Sequence, residues 1–230
     1  MPEQIQLRTA GVDAVVAYVG DQVDAGTAAR VAAACTAIER ELGTAMVDLV
    51  PSYASVLVIF DPLEVTLVQV QRRLRRALAA MPEIEAGSGK LVQLPVYYDP
   101  EAGADLQGLA QAKGLSIEEV IALHSGTEYR VYAIGFAPGF AYLGEVDERI
   151  AAPRLDSPRS HVPRGAVGIA ERQTAIYPAP SPGGWNLIGL CPTAMFDPQH
   201  EPHMPVAVGD RIRFQPITRA RFLELGGTLP

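Results

Sequence analysis

The chain has 230 residues, 48% of them hydrophobic, and a formal net charge of −7. That apolar share supports a core without disulfide staples, and the length fits one large domain or two small ones. The acidic balance argues against phosphate-backbone binding as the main activity, since nucleic-acid binders carry a basic face, and no apolar stretch reaches the ~20 residues that cross a bilayer.

The opening MPEQIQLRTAG lacks the basic-then-apolar pattern of a secretion signal. The expectation is therefore a cytoplasmic protein with Cys35 and Cys191 reduced. Asp13 to Val19 reads as a short Val-rich strand. Thr27 to Leu42 reads as a helix with Thr27 as its cap, Val31, Cys35, Ile38 and Leu42 at helical spacing, and Gly43 as its stop. Met46–Val50 and Ser55–Phe60 read as two strands around a turn at Pro51-Ser52. Asp61 is the expected cap of a second helix, with Pro62 as its first residue and an end near Ala80. Strand, helix, strand, strand, helix predicts a small α+β domain over residues 1–88.

The polar stretch Glu83 to Gly89 is the expected boundary, and residues 89–230 form the second domain. LVQLPVYY, Leu91 to Tyr98, reads as its first strand. Helices follow over Asp105–Lys113 and Ser116–His124, the latter with Ser116 and Glu119 at capping-box spacing. Tyr129–Ile134 is the next strand. Beyond it the texture changes, with eleven of the nineteen prolines lying between Pro138 and Pro205. Short apolar pieces such as AVGIA, TAIYP and WNLIGL between Pro, Gly and Ser predict many short strands, as in a barrel or sandwich. RIRFQP adds one strand, and Ala220–Leu225 a short helix.

Several motifs have plain explanations. Gly87-Ser88-Gly89-Lys90 looks like the end of a phosphate loop, but Ile84 stands where the first glycine belongs and Leu91 where the hydroxyl belongs. His200-Glu201-Pro202-His203 suggests a metal, yet Pro202 breaks the helix that such a site needs; no metal site is expected. Arg72, Arg73, Arg75 and Arg76 fit a solvated face near a helix C-terminus, with a partner face as the alternative. His124 also fits a helix C-terminus, with proton transfer as the alternative.

Two stretches point to a site. GFAPGFAYLG, Gly135 to Gly144, combines glycines that let a ligand approach the backbone, a proline and flat aromatic walls. YPAPSPGGWNLIG, Tyr177 to Gly189, has the same texture around Trp185. Between them Arg164 offers a fork for a carboxylate or phosphate, and Gln173 and Thr174 offer directed hydrogen bonds. Apolar walls with a few convergent polar groups define a small-molecule pocket.

These stretches, with PRLDSPRSHVPRGAVGIAERQTAIYPAPSPGGWNLIG and MFDP, resemble the family of 5-oxoprolinase B-type subunits. That family is also called allophanate hydrolase subunit 1 and includes the sporulation-kinase inhibitor KipI. DLVPSYASVLVIFDP and EVIALHSGTEYRVY extend the resemblance over nearly the whole chain. It implies an α+β N-terminal domain and a cyclophilin-like β-barrel. It also implies a homologous C-type subunit and an A-type subunit as partners, ATP with Mg2+ as co-substrate, and conversion of 5-oxo-L-proline to L-glutamate. The alternatives are a KipI-like inhibitor that binds a sensor histidine kinase, and a subunit of carboxyltransferase type that acts on urea- or allophanate-like amides.

Carried onto this sequence, the resemblance and the residue chemistry give His124, Gln173 and Thr174 as candidate catalytic residues. Gly135, Phe136, Pro138, Gly139, Tyr142, Arg164, Gly183, Gly184 and Trp185 are candidates for substrate binding. Leu143, Pro163, Gly165, Gly168, Tyr177 and Pro182 match the family pattern as well. Three positions depart from it. Ala141 stands where proline is usual, Ala175 where glycine is usual, and Gly189-Leu190-Cys191-Pro192 where Gly-Arg-Thr-Pro is usual, which removes a cation.

Overall fold

The structure, a computed structural model, describes residues 5–22, 24–81 and 89–230. The expected boundary at 83–88 and the Gly87-Ser88 pair of the phosphate-loop-like turn lie outside the described residues. The chain divides into two compact units, Met1–Gly89 and Lys90–Pro230.

The first unit carries a sheet of four antiparallel strands: β1 (Gln6–Thr9), β2 (Ala14–Tyr18), β3 (Met46–Pro51) and β4 (Ser55–Phe60), in the order β1-β2-β4-β3. In β4 burial alternates, with Val56, Val58 and Phe60 inward, as a strand covered on one face requires. The cover is α1 (Ala25–Leu42) and α2 (Leu67–Ala79), which pack on each other. Val31, Ala34, Ile38 and Leu42 make the buried stripe of α1; Val70, Leu74, Ala77 and Leu78 make that of α2. Strand β1 is exposed and polar. It has no apolar alternation to announce it, and pairing with β2 supplies its order.

Both helix starts differ from the expectation. The cap of α1 is Asp24, whose carboxylate accepts from the Thr27 amide at 2.7 Å. Thr27 is instead buried one turn into the helix, where its hydroxyl accepts from Arg30 at 2.8 Å. For α2, Asp61 only closes a tight turn by accepting from Leu63 N at 2.8 Å. The helix starts at Leu67, where Thr66 and Gln69 form a reciprocal capping box. Of the arginine run, Arg73 reaches the Leu42 carbonyl at 3.3 Å, at the C-terminal end of α1, and Arg76 pairs with Glu41. The two cations therefore tie α2 to the negative end of α1.

The second unit is built on a curled seven-stranded sheet. Its strands are β5 (Leu91–Val96), β6 (Glu128–Ile134), β7 (Ala141–Gly144), β9 (Ala166–Ala170), β10 (Gln173–Ile176), β12 (Asn186–Leu190) and β13 (Arg211–Pro216). The order is β12-β9-β10-β7-β6-β13-β5, antiparallel except for the β13–β5 pair. Beyond the end of β5, Tyr97 and Leu190 exchange both backbone hydrogen bonds, at 2.8 and 2.9 Å. The two edges of the sheet are thereby joined, as in the expected barrel. Helices α3 (Leu106–Lys113), α4 (Ile117–Gly126) and α5 (Arg219–Glu224) and the ribbon of β8 (Arg159–Val162) with β11 (Ser181–Gly183) complete the unit. The molecule is α+β throughout, and no helix among the described residues is long and apolar enough to cross a membrane.

Two apolar clusters occupy opposite faces of this sheet. Val167 and Ile169 of β9 join one, with Leu94, Leu106, Val120, Leu143 and Phe214; Ala166 and Ala170 join the other, with Phe140, Tyr177, Trp185 and Phe222. This is why AVGIA is buried at every position. A strand covered on both faces reads as an unbroken apolar run rather than an alternating one.

Candidate functional site

GFAPGF is the loop of the β6–β7 hairpin. The Phe140 amide bonds the Ala137 carbonyl at 3.0 Å, with Pro138 and Gly139 between them and Gly139 at φ 87°. Proline then a glycine of positive φ is the signature of a type II turn. Gly135 N closes the loop on the Phe140 carbonyl at 3.1 Å. Gly139 has a second reason to be glycine: a Cβ there would lie 2.6 Å from the Met195 carbonyl oxygen. The loop therefore turns one ring inward and one outward. Phe140 is 2% exposed, while Phe136 is 67% exposed and sits at φ 71°, a region that L-residues occupy only when the surroundings hold them there.

The inward ring is the hub of an aromatic cluster. Phe140 meets Phe136 at 5.3 Å, Tyr142 at 4.9 Å, Tyr177 at 5.3 Å and Trp185 at 5.7 Å between centroids, all steeply tilted, as ring quadrupoles prefer. The Arg154 guanidinium stands 5.8 Å from the Trp185 ring centroid. The sheet makes room for these rings by carrying small residues beneath them. Gly168 pairs with Ala175, and a Cβ on Gly168 would lie 3.0 Å from Cβ of Trp185. At Gly183 a Cβ would lie 2.4 Å from the Tyr177 hydroxyl. A Cβ on Gly184 would make only ordinary contacts, the nearest with the Leu155 oxygen at 3.6 Å, and the Gly184 carbonyl accepts from the Leu155 amide at 2.7 Å.

Beside this cluster lies a hollow of about 490 Å³ lined by Ala137, Pro138, Arg164, Pro178, Ala179, Ala194, Phe196 and Asp197. Four loops meet there. Gly165, at φ 82°, joins two of them, its amide bonding the Tyr177 carbonyl and its carbonyl accepting from Cys191 N, each at 2.8 Å. Both Asp197 oxygens are engaged, one with Gln199 N at 2.9 Å and one with His200 Nδ1 at 2.8 Å. Those bonds hold its carboxyl below the ordinary range.

The candidate polar residues divide between the two faces of β10. Thr174 pairs with Leu143 and faces the helix-covered core; Gln173 pairs with Gly144 and shares the face of Ala175 and the aromatic cluster, half-buried. His124 is fully buried, with Nδ1 2.7 Å from the Tyr98 hydroxyl, Nε2 2.9 Å from Thr174 Oγ1 and its ring stacked on Phe214 at 4.6 Å. Burial drives its pKa down to about 3, so the ring is neutral at ordinary pH. It is a polar tie between α4, the Tyr98 segment and β10, and neither it nor Thr174 reaches the surface.

The candidate residues thus fall into five places. Pro138 and Arg164 line the hollow. Phe136, Tyr142 and Trp185 belong to the aromatic cluster. Gly135, Gly139, Gly183 and Gly184 shape the backbone around both. His124 and Thr174 lie behind the sheet, and Gln173 in front of it. The missing arginine is not a gap in the hollow, because Leu190 is 1% exposed in the apolar cluster. Sequence reasoning passed over Phe196 and Asp197, although MFDP was one of the distinctive motifs, and passed over Phe140 and Arg154. Among the described residues no His, Cys, Asp and Glu side chains gather in a metal-binding group.

The family model for the carboxyltransferase domain, subdomain C and D, matches residues 5–206. A Bacillus subtilis (strain 168) protein, named as the B-type subunit of 5-oxoprolinase, is 37% identical over 228 residues, 95% of each chain. One of the same name from Escherichia coli O157:H7 is 38% identical over 171 residues, 74% of this chain and 78% of that one. Among solved structures, TTHA0988 superposes with a TM-score of 0.81 at 38% identity over 96% of this chain. The match spans only 41% of that longer protein. With a family model matched over most of its length and such relatives at this identity, the chain belongs to the family of carboxyltransferase domains, subdomains C and D, that includes proteins named as B-type subunits of 5-oxoprolinase.

Proposed function

We propose that this chain is the B-type subunit of an ATP-dependent 5-oxoprolinase, a hydrolase that opens 5-oxo-L-proline to L-glutamate together with an A-type and a C-type subunit. The observation that carries the reading is 37% identity over 95% of both chains to a protein of that name. The cluster of rigid loops, rings and half-buried polar groups on one side of the barrel is of the kind that holds a small amide.

In this reading ATP phosphorylates the lactam oxygen and leaves as ADP. Water then adds to the carbon, the C–N bond breaks with a proton going to nitrogen, and a second water releases phosphate. The chain's own contribution is placement and electrostatic support. Pro138 and Phe196 wall the ring in the hollow, the cluster of Phe136, Tyr142 and Trp185 around Phe140 braces the hairpin loop beside it, and Gln173 offers its amide from the face of that cluster. The amides of Ala137 and Gly139 meet no carbonyl among the described residues and are available to a developing negative charge. Thr174 and His124 act as positioning residues that hold β10 from behind.

The test is reconstitution with the two partner subunits, 5-oxo-L-proline and ATP, reading glutamate and ADP. Turnover is expected only from the full set. Gln173→Ala is expected to lower it about 100-fold, the scale of one lost transition-state donor, with thermal stability kept. A loss below threefold removes Gln173 from the mechanism. A KipI-like reading draws on Phe136, whose 67% exposure on a rigid loop suits a partner helix. Capture of a sensor histidine kinase, without turnover in the full set, selects it.

A further inference from the structure

We infer that the hollow between the hairpin loop and the segment 194–197 is a carboxylate site, with Arg164 as its counter-ion and a small ring or aliphatic acid as its ligand. The charged side chains on its lining are Arg164 and Asp197. Asp197 is spent within its own loop, on Gln199 N and His200. Arg164 is exposed and has no hydrogen-bond or ion-pair partner among the described residues. That sets it apart from Arg159, held by Asp105, from Arg172, held by Glu145 and Glu148, and from Arg219, held by Glu101. A planar fork left unpaired on an apolar wall is matched by a carboxylate, which it can grip in two parallel bonds.

The other walls set the rest of the ligand. Ala137, Pro138, Pro178, Ala179, Ala194 and Phe196 offer methyl, pyrrolidine and phenyl surface. They suit a compact body with few polar atoms, and about 490 Å³ is ample for a five-membered ring. The site is also formed in advance. Gly139 packs against the Met195 carbonyl with no room for a Cβ, and Gly165 does the same against the Cys191 carbonyl, 2.3 Å from where a Cβ would stand. The loops that bear Pro138, Arg164 and Phe196 are therefore fixed to one another, so little ordering is needed on binding.

The inference deepens the reading above and rests on it for the acid's identity, 5-oxo-L-proline; the carboxylate chemistry stands apart from that reading. The purified full-length chain is titrated, by calorimetry and by backbone-amide NMR shifts, with 5-oxo-L-proline, with L-proline and with the neutral ring 2-pyrrolidone. The acids are expected to bind at least tenfold more tightly than 2-pyrrolidone, with the largest shifts at Ala137, Ala179 and Ala194. Arg164→Gln is expected to bring the acids down to the level of the neutral ring. Arg164→Lys keeps part of the preference, and Arg154→Gln leaves it intact. The idea is overturned if acid and neutral ring bind alike, if nothing binds, if Arg164→Gln changes acid binding less than twofold, or if the shifts centre elsewhere. Melting temperatures check that each variant folds. Acids held through Arg164 in a chain whose reconstituted complex leaves 5-oxo-L-proline unopened would keep the site and remove the oxoprolinase reading. Full turnover with Arg164→Gln in place would remove the site and keep the reading.

Discussion

At the residue scale, His124 shows how far burial changes what a side chain can do. Its sequence setting suited either a cation at a helix end or a proton carrier. In the fold both ring nitrogens are satisfied by hydroxyls and the pKa falls to about 3. The depressed value has a definite sign. The unfolded chain takes up a proton near pH 6.5 and the native chain does not, so stability present above that value is lost as pH falls from about 6.5 toward 3. Between pH 7 and pH 5 this one group is expected to remove about 2 kcal/mol. Urea melts of the wild type and of His124→Asn at both pH values check it. The variant is less stable at pH 7, and the wild type's acid-dependent loss exceeds the variant's by that amount. Gly165 makes the second prediction at this scale. With φ at 82° and the Cys191 oxygen 2.3 Å from an added Cβ, Gly165→Ala is expected to lower stability by more than the ~1–2 kcal/mol of a strained backbone position. Gly108→Ala, a helical site with nothing within 4 Å, is expected to raise it by about 0.5–1 kcal/mol. Thermal melts of the two variants are read against each other.

At the element scale, helix starts are decided by side-chain acceptors and not by the first candidate in the chain. Thr27 and Asp61 are sound caps by residue type, yet Asp24 and Thr66 do the capping. The reason is that a cap must meet an amide two or three residues on while the helix axis already fits the sheet below. Asp24→Ala and Thr66→Ala are each expected to destabilise by about 1 kcal/mol, while Asp61→Asn is expected to change little. Chemical denaturation of the three variants tests the assignment. Strand and helix identity was legible here wherever period and flanking turns agreed, as in SVLVIF of β4 and the Ser116 capping box of α4. The polar strand β1 was not legible, because its order comes from a neighbour. The site loops were legible as loops: Pro138-Gly139 prescribes a turn. Nothing local says that Phe140 turns inward and Phe136 outward.

At the scale of the whole molecule, joining the sheet edges matters most. Tyr97 and Leu190 are 93 positions apart in the chain, yet they exchange two backbone bonds. Gly189 beside them admits the approach, since a Cβ there would lie 2.7 Å from the Tyr97 oxygen. The amides of Tyr97 and Leu190 are therefore expected to exchange with deuterium only on unfolding of the C-terminal unit, although each lies at an edge of the strand ladder. Gly189→Ala is expected to speed the exchange of both at least tenfold, read by hydrogen-exchange mass spectrometry or NMR. By itself the sequence determined the α+β class, most helices and strands, the proline-punctuated barrel half and the family to which the chain belongs. Those are written in local period, turn residues and long motifs, each readable within a few neighbouring positions. Only the tertiary structure decided that His124 and Thr174 lie behind the sheet while Gln173 faces the rings. It alone placed Leu190 in the core and left Arg164 without a partner among the described residues, above a hollow. Which face of a strand is covered, and which charge finds a counter-ion, depends on segments tens of residues away, and no local pattern encodes their arrival.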